Sequence, residues 1–431
     1  MSRLFILGLF FMTSMAQAEP LIVRQFPNGL KWIHRPVTHN QIFAFNLFIP
    51  GGSINESPSQ AGLSRLMAST MVKGTQSRNA LALAQELESL GAAFNVDTPP
   101  DALSVGGQVV AEHWEKTLDL FKDVLLHPVF PVAEVEKERE SLLNDLKASR
   151  ESIFSVAEER FRKEMFGSHP YGRPDGGTPE SVASLTAKDL STWYGRCVSP
   201  RGAVLVTVGH VPVKALTPWM ESLAKDWIAP ALGTPSIPPV VVYSTQSVTV
   251  EEPHPFEQSF VMMGYPAVPI TDQNYPAVKL SNVLLGGGMS SPLFRVVREE
   301  GTLAYDVSSF YPSRRFGSAF VVYAGTDPKN LLLAEEKIKF VIQEFLRTPL
   351  SEEDLQDGKN YLRGQYLMSH QTNSRMAWYL GWWELLGKGY AYDAHYPDLL
   401  QSLTAADVHR VAQETLSLPS ITVRVVPPTA Q

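Results

Sequence analysis

Residues 61–75 read AGLSRLMASTMVKGT, and the rest of the chain can be interpreted outward from this stretch. Its apolar side chains recur at i, i+3, i+4 and i+8, a spacing that places them on one stripe of an amphipathic helix. The members of this stripe are Leu63, Leu66, Met67 and Met71. A different face carries Arg65, Ala68 and Ser69, spaced at i, i+3 and i+4. The pattern predicts a helix with an apolar stripe and a separate face formed by these three residues.

The N-terminus differs in composition from the rest of the chain. Arg3 precedes the apolar run LFILGLFFM, and Ala16-Gln17-Ala18 comes after it. A basic start, a short apolar core and a small-x-small end predict a secretory signal peptide that is cleaved after Ala18. The alternative is an N-terminal membrane anchor, for which the run is short compared with the roughly 20 residues of a membrane span. We find no later segment in the sequence that is apolar enough to cross a bilayer.

Composition narrows the functional classes. The chain has 431 residues, of which 44% are hydrophobic and 19% are charged, which is typical of a globular protein with two or more domains. Removing Arg3 with the signal peptide leaves 36 basic against 44 acidic residues, a formal charge of −8. This balance argues against a nucleic-acid partner. Cys197 is the single cysteine, which excludes an intrachain disulfide, and no neighbouring histidine would activate it, so we expect a partly buried free thiol.

An internal repeat divides the chain. SLTAKDL begins at Ser184 and SLTAADV begins at Ser402, an offset of 218 residues. A proline and an apolar strand come after each copy, at Pro200 and Pro419, an offset of 219. In both copies a threonine with an aspartate three residues later predicts a variant of the helix capping box. Two copies in register predict two homologous α+β halves, joined by the proline-rich linker IAPALGTPSIPPV at 228–240.

The repeat predicts the organisation of the chain. We expect a signal peptide over 1–18, an N-terminal domain over 19–227, the linker, and a C-terminal domain over 241–431. Each half should hold a mostly antiparallel sheet packed with helices. The predicted strands are 21–25, 30–35, 42–50, 92–97 and 102–110, a strand AVLVTV after Pro200, strands near 246–251, 258–264, 303–311 and 317–324, and ITVRVV after Pro419. The predicted helices are 61–75, 79–90, 111–126, 132–148 (which the pattern allows to continue past Ser155), 275–285, 292–299, 328–346, 351–370, 373–387, and one beginning in each repeat copy.

The opening helix resembles the active-site helix of the pitrilysin/insulysin-type zinc peptidases, the inverzincins. Their signature H-x-x-E-H lies inside a run like G-L-x-H-x-x-E-H-x-x-x-K-G-T. Gly62-Leu63 and Lys73-Gly74-Thr75 match this frame without a gap. The resemblance covers nearly the whole predicted mature chain, including LLGGGMSSPLFRVVREEGTLAYDVSSFY in the second half. Its size and two halves are similar to the mitochondrial-processing-peptidase and bacterial processing-protease branch, in which two chains form a closed chamber.

The resemblance also implies that the zinc chemistry has been lost. Arg65 and Ser69 stand where the family has its two histidines, and Ala68 stands where it has the catalytic glutamate. Asp145 stands at the position of the third ligand, a glutamate. One aspartate cannot assemble a three-ligand catalytic zinc site, and a methyl group cannot act as a general base. The sequence contains no H-x-x-E-H, H-E-x-x-H or H-x-x-x-H that would replace it, so we expect no catalytic residue and no metal in this chain.

The resemblance implies that the substrate-gripping residues are kept. Active members hold the substrate backbone with an arginine and a tyrosine seven residues later, and here that pair is Arg298 and Tyr305. Arginine offers a rigid donor fork and tyrosine a hydroxyl for a developing oxyanion. From the local sequence alone, a helix-end salt bridge for Arg298 and strand packing for Tyr305 are the alternative. Gly286-Gly287-Gly288 corresponds to a flexible hinge in the family and lacks the Lys-Ser/Thr of a phosphate loop.

Together these implications predict a non-catalytic, substrate-gripping subunit of a secreted, periplasmic two-chain zinc peptidase. The partner would carry H-x-x-E-H and the Zn²⁺, and the two would form a heterodimer that acts on peptides laid along an edge strand. The alternative is a standalone peptide-binding or assembly protein. A third hypothesis, an active peptidase with a rebuilt metal site, places the Arg65 cation where zinc should lie. The substrate, its cleavage preference and any contact of Asp145 with a metal are left open.

Overall fold

The computed structural model describes residues 20–229 and 240–428. The predicted signal peptide and nearly all of the predicted linker lie outside these residues. Within them the strands form two sheets, one from each half of the chain. The first-half strands are β1 (Ile22–Gln25), β2 (Lys31–Pro36), β3 (Ile42–Pro50), β4 (Ala93–Asp97), β5 (Ala102–Val110) and β6 (Val204–Gly209). The second-half strands are β7 (Val248–Pro253), β8 (Ser259–Ala267), β9 (Asp306–Phe310), β10 (Ser318–Thr326) and β11 (Ile421–Val426).

The two sheets share one topology. The first has the order β1-β2-β6-β3-β5-β4 and the second the order β7-β11-β8-β10-β9. Without β1, each strand of the first sheet has a counterpart at the same place in the second. Neighbours are antiparallel except for the pairs β2/β6 and β7/β11, which are parallel in both sheets. The predicted α+β fold with two homologous, mostly antiparallel halves is confirmed.

Helices surround both sheets. Those of the first half are α1 (Leu63–Met71), α2 (Ala80–Ser89), α3 (Trp114–Leu126), α4 (Val132–Ser149), α5 (Ile153–Phe166), α6 (Pro179–Ser184), α7 (Ala187–Cys197) and α8 (Val213–Asp226). Those of the second half are α9 (Tyr275–Gly286), α10 (Leu331–Arg347), α11 (Glu352–Ser369), α12 (Asn373–Leu385), α13 (Tyr392–Ser402) and α14 (Ala405–Leu416). A π-helix, Phe294–Glu300, lies between α9 and β9. No helix in the described part of the chain is long and apolar enough to span a membrane.

Local capping fixes several helix starts. Thr186 and Thr404 each accept a backbone N–H from the aspartate three residues later, and that aspartate's carboxylate accepts from the threonine N–H. The predicted capping boxes of the repeat are therefore confirmed. The helix beginning at Val132 does not continue past Ser155. It ends at Ser149, and the Ser152 side chain caps a new helix, α5, by accepting the N–H of Ser155.

Each half lends one helix to the other. One face of the first sheet, which we call its inner face, is covered by α12 from the second half. Ala377 and Leu380 of α12 pack on Val206. The inner face of the second sheet is covered by α5, whose Ala157 and Phe161 belong to the same core. We call α5 and α12 the exchanged helices. The outer faces are covered within each half, by α1 and α3 on the first sheet and by α9, α10 and α14 on the second.

The packing of the exchanged helices is very close. A Cβ added to Gly264 of β8 would lie 2.3 Å from the Phe161 ring of α5. A Cβ added to Gly381 of α12 would lie 2.4 Å from the Phe48 ring of β3. In one half the glycine is on the strand and in the other it is on the helix, but both let an aromatic ring approach a backbone. The two halves therefore share core packing.

Candidate functional site

The start of α1 is held by a buried carboxylate. Gly62 takes the left-handed conformation, with φ 91°, immediately before the helix. Glu56 accepts the backbone N–H of Gly62 at 2.9 Å and that of Ser64 at 2.6 Å, which satisfies two of the free donors at a helix N-terminus. Burial raises the pKa of Glu56, while the hydrogen bonds from Ser64 and Gly62 act in the opposite direction. The apolar stripe of α1 is buried as predicted, so the helix is fixed in position.

Arg65 and Asp145 form an ion pair between two helices. Arg65 lies on α1 and Asp145 on α4, and Nη2 of the arginine donates to Oδ2 of the aspartate at 2.8 Å. Both side chains are open to solvent, with exposed fractions of 45% and 57%. The side chains at positions 65 and 145 therefore reach the same place, and whether this corresponds to a zinc site stays a prediction. An ion pair joins α1 to α4 at that place.

The other two positions do not fit a metal. The Ala68 methyl group is buried in the first-half core. Ser69 is half-buried and its hydroxyl donates to the Leu66 carbonyl at 3.2 Å, within its own helix. A guanidinium, a methyl group and a hydroxyl do not form the donor set of a catalytic zinc site. Among residues 20–229 and 240–428, no group of three or more His, Cys, Asp or Glu side chains could hold a metal ion.

A second ion pair joins the same two helices. Lys73, just after α1, has its Nζ 3.1 Å from Oε1 of Glu138 on α4. Lys73 is part of the K-G-T frame of the signature stretch, so this frame residue has a structural role here. Two ion pairs therefore link the α1 region to α4.

Arg298 lies on the π-helix and is exposed. Its guanidinium carbon lies 4.9 Å from the centroid of the Phe294 ring, a cation–π contact. Within the described parts of the chain it takes part in no salt bridge, so the helix-end salt bridge considered from the sequence is not formed. A π-helical segment is rare and is often found at functional sites. The helix predicted at 292–299 is present as a π-helix over Phe294–Glu300.

Tyr305 is also open to solvent. It directly precedes β9, its backbone N–H donates to the Gly325 carbonyl at 3.0 Å, and its side chain is 51% exposed. Strand packing does not account for that side chain. Between Arg298 and Tyr305, Thr302 has φ 50°, a conformation that is costly for a β-branched residue. Such strain tends to occur at functional sites, and it is a feature that sequence reasoning did not identify. The gripping role of the two residues stays a prediction.

The three glycines of the predicted hinge differ in their surroundings. A Cβ on Gly286, the last residue of α9, would lie 2.8 Å from the backbone nitrogen of Ser309 on β9. A Cβ on Gly287 would lie 2.6 Å from Val283 Cα, whereas one on Gly288 would meet nothing within 4 Å. Close packing thus explains Gly286 and Gly287, and it does not explain Gly288. Hinge motion at this segment stays a prediction.

Cys197 is the partly buried free thiol that was predicted. Burial raises the pKa of this thiol to about 12, with a smaller opposing effect from Arg196. A thiol with so high a pKa is protonated at neutral pH and is a poor nucleophile. We therefore expect Cys197 to be unreactive at neutral pH.

Comparison with known sequences gives a family for both halves. Residues 36–178 match the domain described as insulinase, peptidase family M16. Residues 184–362 match the domain described as the peptidase M16 inactive domain. The chain is 26% identical over 373 residues to a Bacillus subtilis protein called the uncharacterized zinc protease YmxG, covering 85% of this chain and 88% of that protein. It is 23% identical over 406 residues to an uncharacterized zinc protease of Rickettsia felis, covering 93% and 96%.

Two solved structures have the same fold. A peptidase M16 inactive domain from Pseudomonas fluorescens superposes with a TM-score of 0.86 at 21% identity, covering 96% of this chain and 99% of that chain. A protease from Helicobacter pylori superposes with a TM-score of 0.87 at 19% identity, covering 95% and 100%. Both likenesses extend over the two halves of the chain.

Proposed function

The chain belongs to the M16 (insulinase) peptidase family, and from this membership we propose that it is the non-catalytic, substrate-gripping subunit of a secreted, periplasmic two-chain zinc peptidase. The partner subunit would carry the H-x-x-E-H helix and the Zn²⁺. This chain would contribute Arg298 and Tyr305 and one half of a chamber that holds peptides.

The Arg65–Asp145 ion pair is the observation that carries the proposal. Since the sequence resemblance implies that 65 and 145 are ligand positions, the pair supports the proposal by putting a protein cation where a zinc ion would be needed. Asp145 is engaged by that cation, and Ala68 supplies no base for water activation. A chain with this site contributes no metal chemistry through these residues, which favours a proteolytic role that depends on a second chain.

The exposure of Arg298 and Tyr305 supports the gripping part of the proposal. Within the described residues the Arg298 guanidinium has no carboxylate partner, so its donors are free for a peptide carbonyl. Strand β4 lies at one edge of the first sheet, where a strand presents a row of backbone groups without a neighbour. A peptide added to such an edge would be held by main-chain hydrogen bonds, which suits substrates of varied sequence.

The test uses the purified mature chain and a family member of similar length with an intact H-x-x-E-H, sought first in the neighbouring gene. Peptide cleavage and zinc content are measured for each chain alone and for the mixture. We expect this chain to be inert and zinc-free alone, and the mixture to cleave. Arg298→Ala should abolish the gain while the melting temperature is unchanged, because the side chain is exposed and makes no ion pair with the described residues.

Two outcomes would contradict the proposal. Stoichiometric zinc and cleavage by the chain alone would mean that a different site performs catalysis. No cleavage by the mixture, or a partner that already has its own Arg/Tyr pair, would favour a standalone peptide-binding or assembly protein.

A further inference from the structure

A large cleft opens on the outer side of the second half, away from the degenerate zinc site. Its volume is 870 Å³, near the upper end of the roughly 300–1,000 Å³ typical of ligand pockets. The walls come from the C-terminal end of α9, from α10, from α11, from α14, and from the segment 287–292 that leads into the π-helix. No residue of α1 or α4 contributes to it. We call it the outer cleft.

Exposed apolar side chains converge on the outer cleft. Met289 on the glycine-rich segment is 78% exposed, and Phe340 on α10 is 48% exposed. Tyr361 on α11 also lies in the wall and is exposed. Large apolar side chains gathered from three separate elements and left in water are a typical mark of a binding surface.

The charges in the cleft are predominantly negative. Its walls hold Glu344, Asp354 and Asp357 against Arg295, which lies 3.8 Å from Glu300 outside the cleft. Asp354 accepts from the Ser351 hydroxyl at 2.6 Å as part of the α11 cap.

Asp357 differs from the other two carboxylates. Glu344 is paired with Arg347, at 2.5 Å. Within residues 20–229 and 240–428, Asp357 has neither a side-chain hydrogen bond nor an ion pair. An unpaired carboxylate beside an apolar wall selects a ligand that combines apolar groups with a cation.

We propose that the outer cleft binds an amphipathic peptide segment whose apolar side chains enter between α10 and α11 and whose lysine or arginine pairs with Asp357. The proposal rests on the proposed function in taking a peptide as the ligand. It adds a side-chain preference, apolar plus basic, to a grip at Arg298 and Tyr305 that reads only the backbone. Because segment 287–292 is one wall, the bound peptide lies next to the segment that carries the gripping pair.

The test is a binding titration with the full mature chain and two short fluorescein-labelled peptides. One combines leucine and phenylalanine with lysine, and in its twin each lysine is replaced by glutamate. We expect the lysine peptide to bind and the glutamate twin to bind at least about tenfold more weakly. Asp357→Lys and Phe340→Glu should each weaken the lysine peptide by about tenfold or more. Both residues are exposed, so the variants should fold.

Controls separate the outer cleft from general charge effects and from the gripping pair. Asp398→Lys makes the same charge change at an exposed position of α13 outside the cleft and should alter binding by less than about twofold. Arg298→Ala should lower the affinity for both peptides by the same factor and leave the preference for lysine over glutamate intact, because Arg298 does not line the outer cleft.

Equal binding of the two peptides, no binding of the lysine peptide, or no effect of Asp357→Lys would overturn the proposal. Cleavage by the two-chain mixture would still stand in those cases, so the two proposals fail separately.

Discussion

Introducing the family's zinc signature into α1 and α4 tests whether the four positions proposed as a degenerate zinc site share the geometry of a metal site. The variant carries Arg65→His, Ala68→Glu, Ser69→His and Asp145→Glu. Positions 65 and 145 already converge, since their side chains meet at 2.8 Å. Position 69 lies one turn after 65 on the same helix face. Two histidines and a glutamate form a standard catalytic zinc set, so we expect the variant to bind one Zn²⁺ per chain.

The cost without zinc is worked from the burial of each position. Loss of the exposed Arg65–Asp145 pair costs about 0.2–1 kcal/mol, and loss of the Ser69 hydrogen bond about 0.5–1.5 kcal/mol. The larger side chain at buried Ala68 costs about 1–3 kcal/mol for overpacking, and desolvation of its carboxyl group adds to this. The total therefore reaches the lower end of the typical stability of about 5–15 kcal/mol, and the metal-free variant is expected to be marginally stable. Zinc at a thousandfold excess over its Kd returns about 4 kcal/mol. The melting temperature should therefore fall in the metal-free variant and rise again with zinc.

Zinc stoichiometry and thermal unfolding with and without metal are the measurements. The matched control keeps Arg65 and makes the other three changes, and we expect no zinc binding because a guanidinium stays at the site. A folded four-residue variant that binds no zinc would refute the reasoning, since it would mean that the positions no longer share a metal geometry. Zinc binding by the control would refute it equally.

Three further predictions concern buried groups and close packing. Burial lowers the pKa of His34 to about 4, from about 6.5 in the unfolded chain, so protonation favours the unfolded chain as the pH falls from about 6.5 to about 4. In this range the free energy of unfolding should drop by up to about 1.4 kcal/mol per pH unit. Denaturant titrations should show a smaller drop in His34→Gln. Gly286→Ala should lower the free energy of unfolding by about 1–3 kcal/mol, because its Cβ would meet the backbone of β9. Gly288→Ala should leave the free energy of unfolding nearly unchanged, because its Cβ would meet nothing within 4 Å. Equal losses for the two variants in chemical unfolding would contradict this prediction. Fragments 20–229 and 240–428 should each fail to give a folded monomer alone and should associate when co-expressed. The reason is that each fragment lacks the exchanged helix that covers its own sheet. A folded, monomeric single fragment in size-exclusion chromatography would count against shared core packing.

Much of the secondary structure can be predicted from sequence patterns. The ranges 42–50 and 102–110 are predicted to the residue and become β3 and β5. Their apolar composition and bounding turns are strong local signals. Prolines obscure the pattern elsewhere. Helices α8 and α13 were not predicted, and each contains an internal proline, at Pro218 and Pro397. Tertiary packing of buried residues in these helices overrides the local cost.

The contacts within the candidate site are not evident from the sequence. The resemblance implies that Arg65 and Asp145 stand at two ligand positions, which stays a prediction, and their opposite charges are the sequence signal for the ion pair that the structure contains. The conformation of Thr302 has no sequence signal, because a β-branched residue is not expected there. The exchange of α5 and α12 could not be predicted either, since an amphipathic pattern indicates a buried face and does not say which sheet buries it.

The exchanged helices also bear on how such a chain can change over evolutionary time. After a duplication, two copies are usually free to drift apart as separate modules. Here each copy encodes a helix whose neighbours are encoded by the other, so a substitution at Phe161 is accommodated or rejected by a strand about a hundred residues downstream in the chain, at Gly264. Arg65, Ala68 and Ser69 take no part in this shared packing. Substitutions at these three positions of α1 therefore leave the packing that joins the copies intact, whereas substitutions at Phe161 or Gly264 do not.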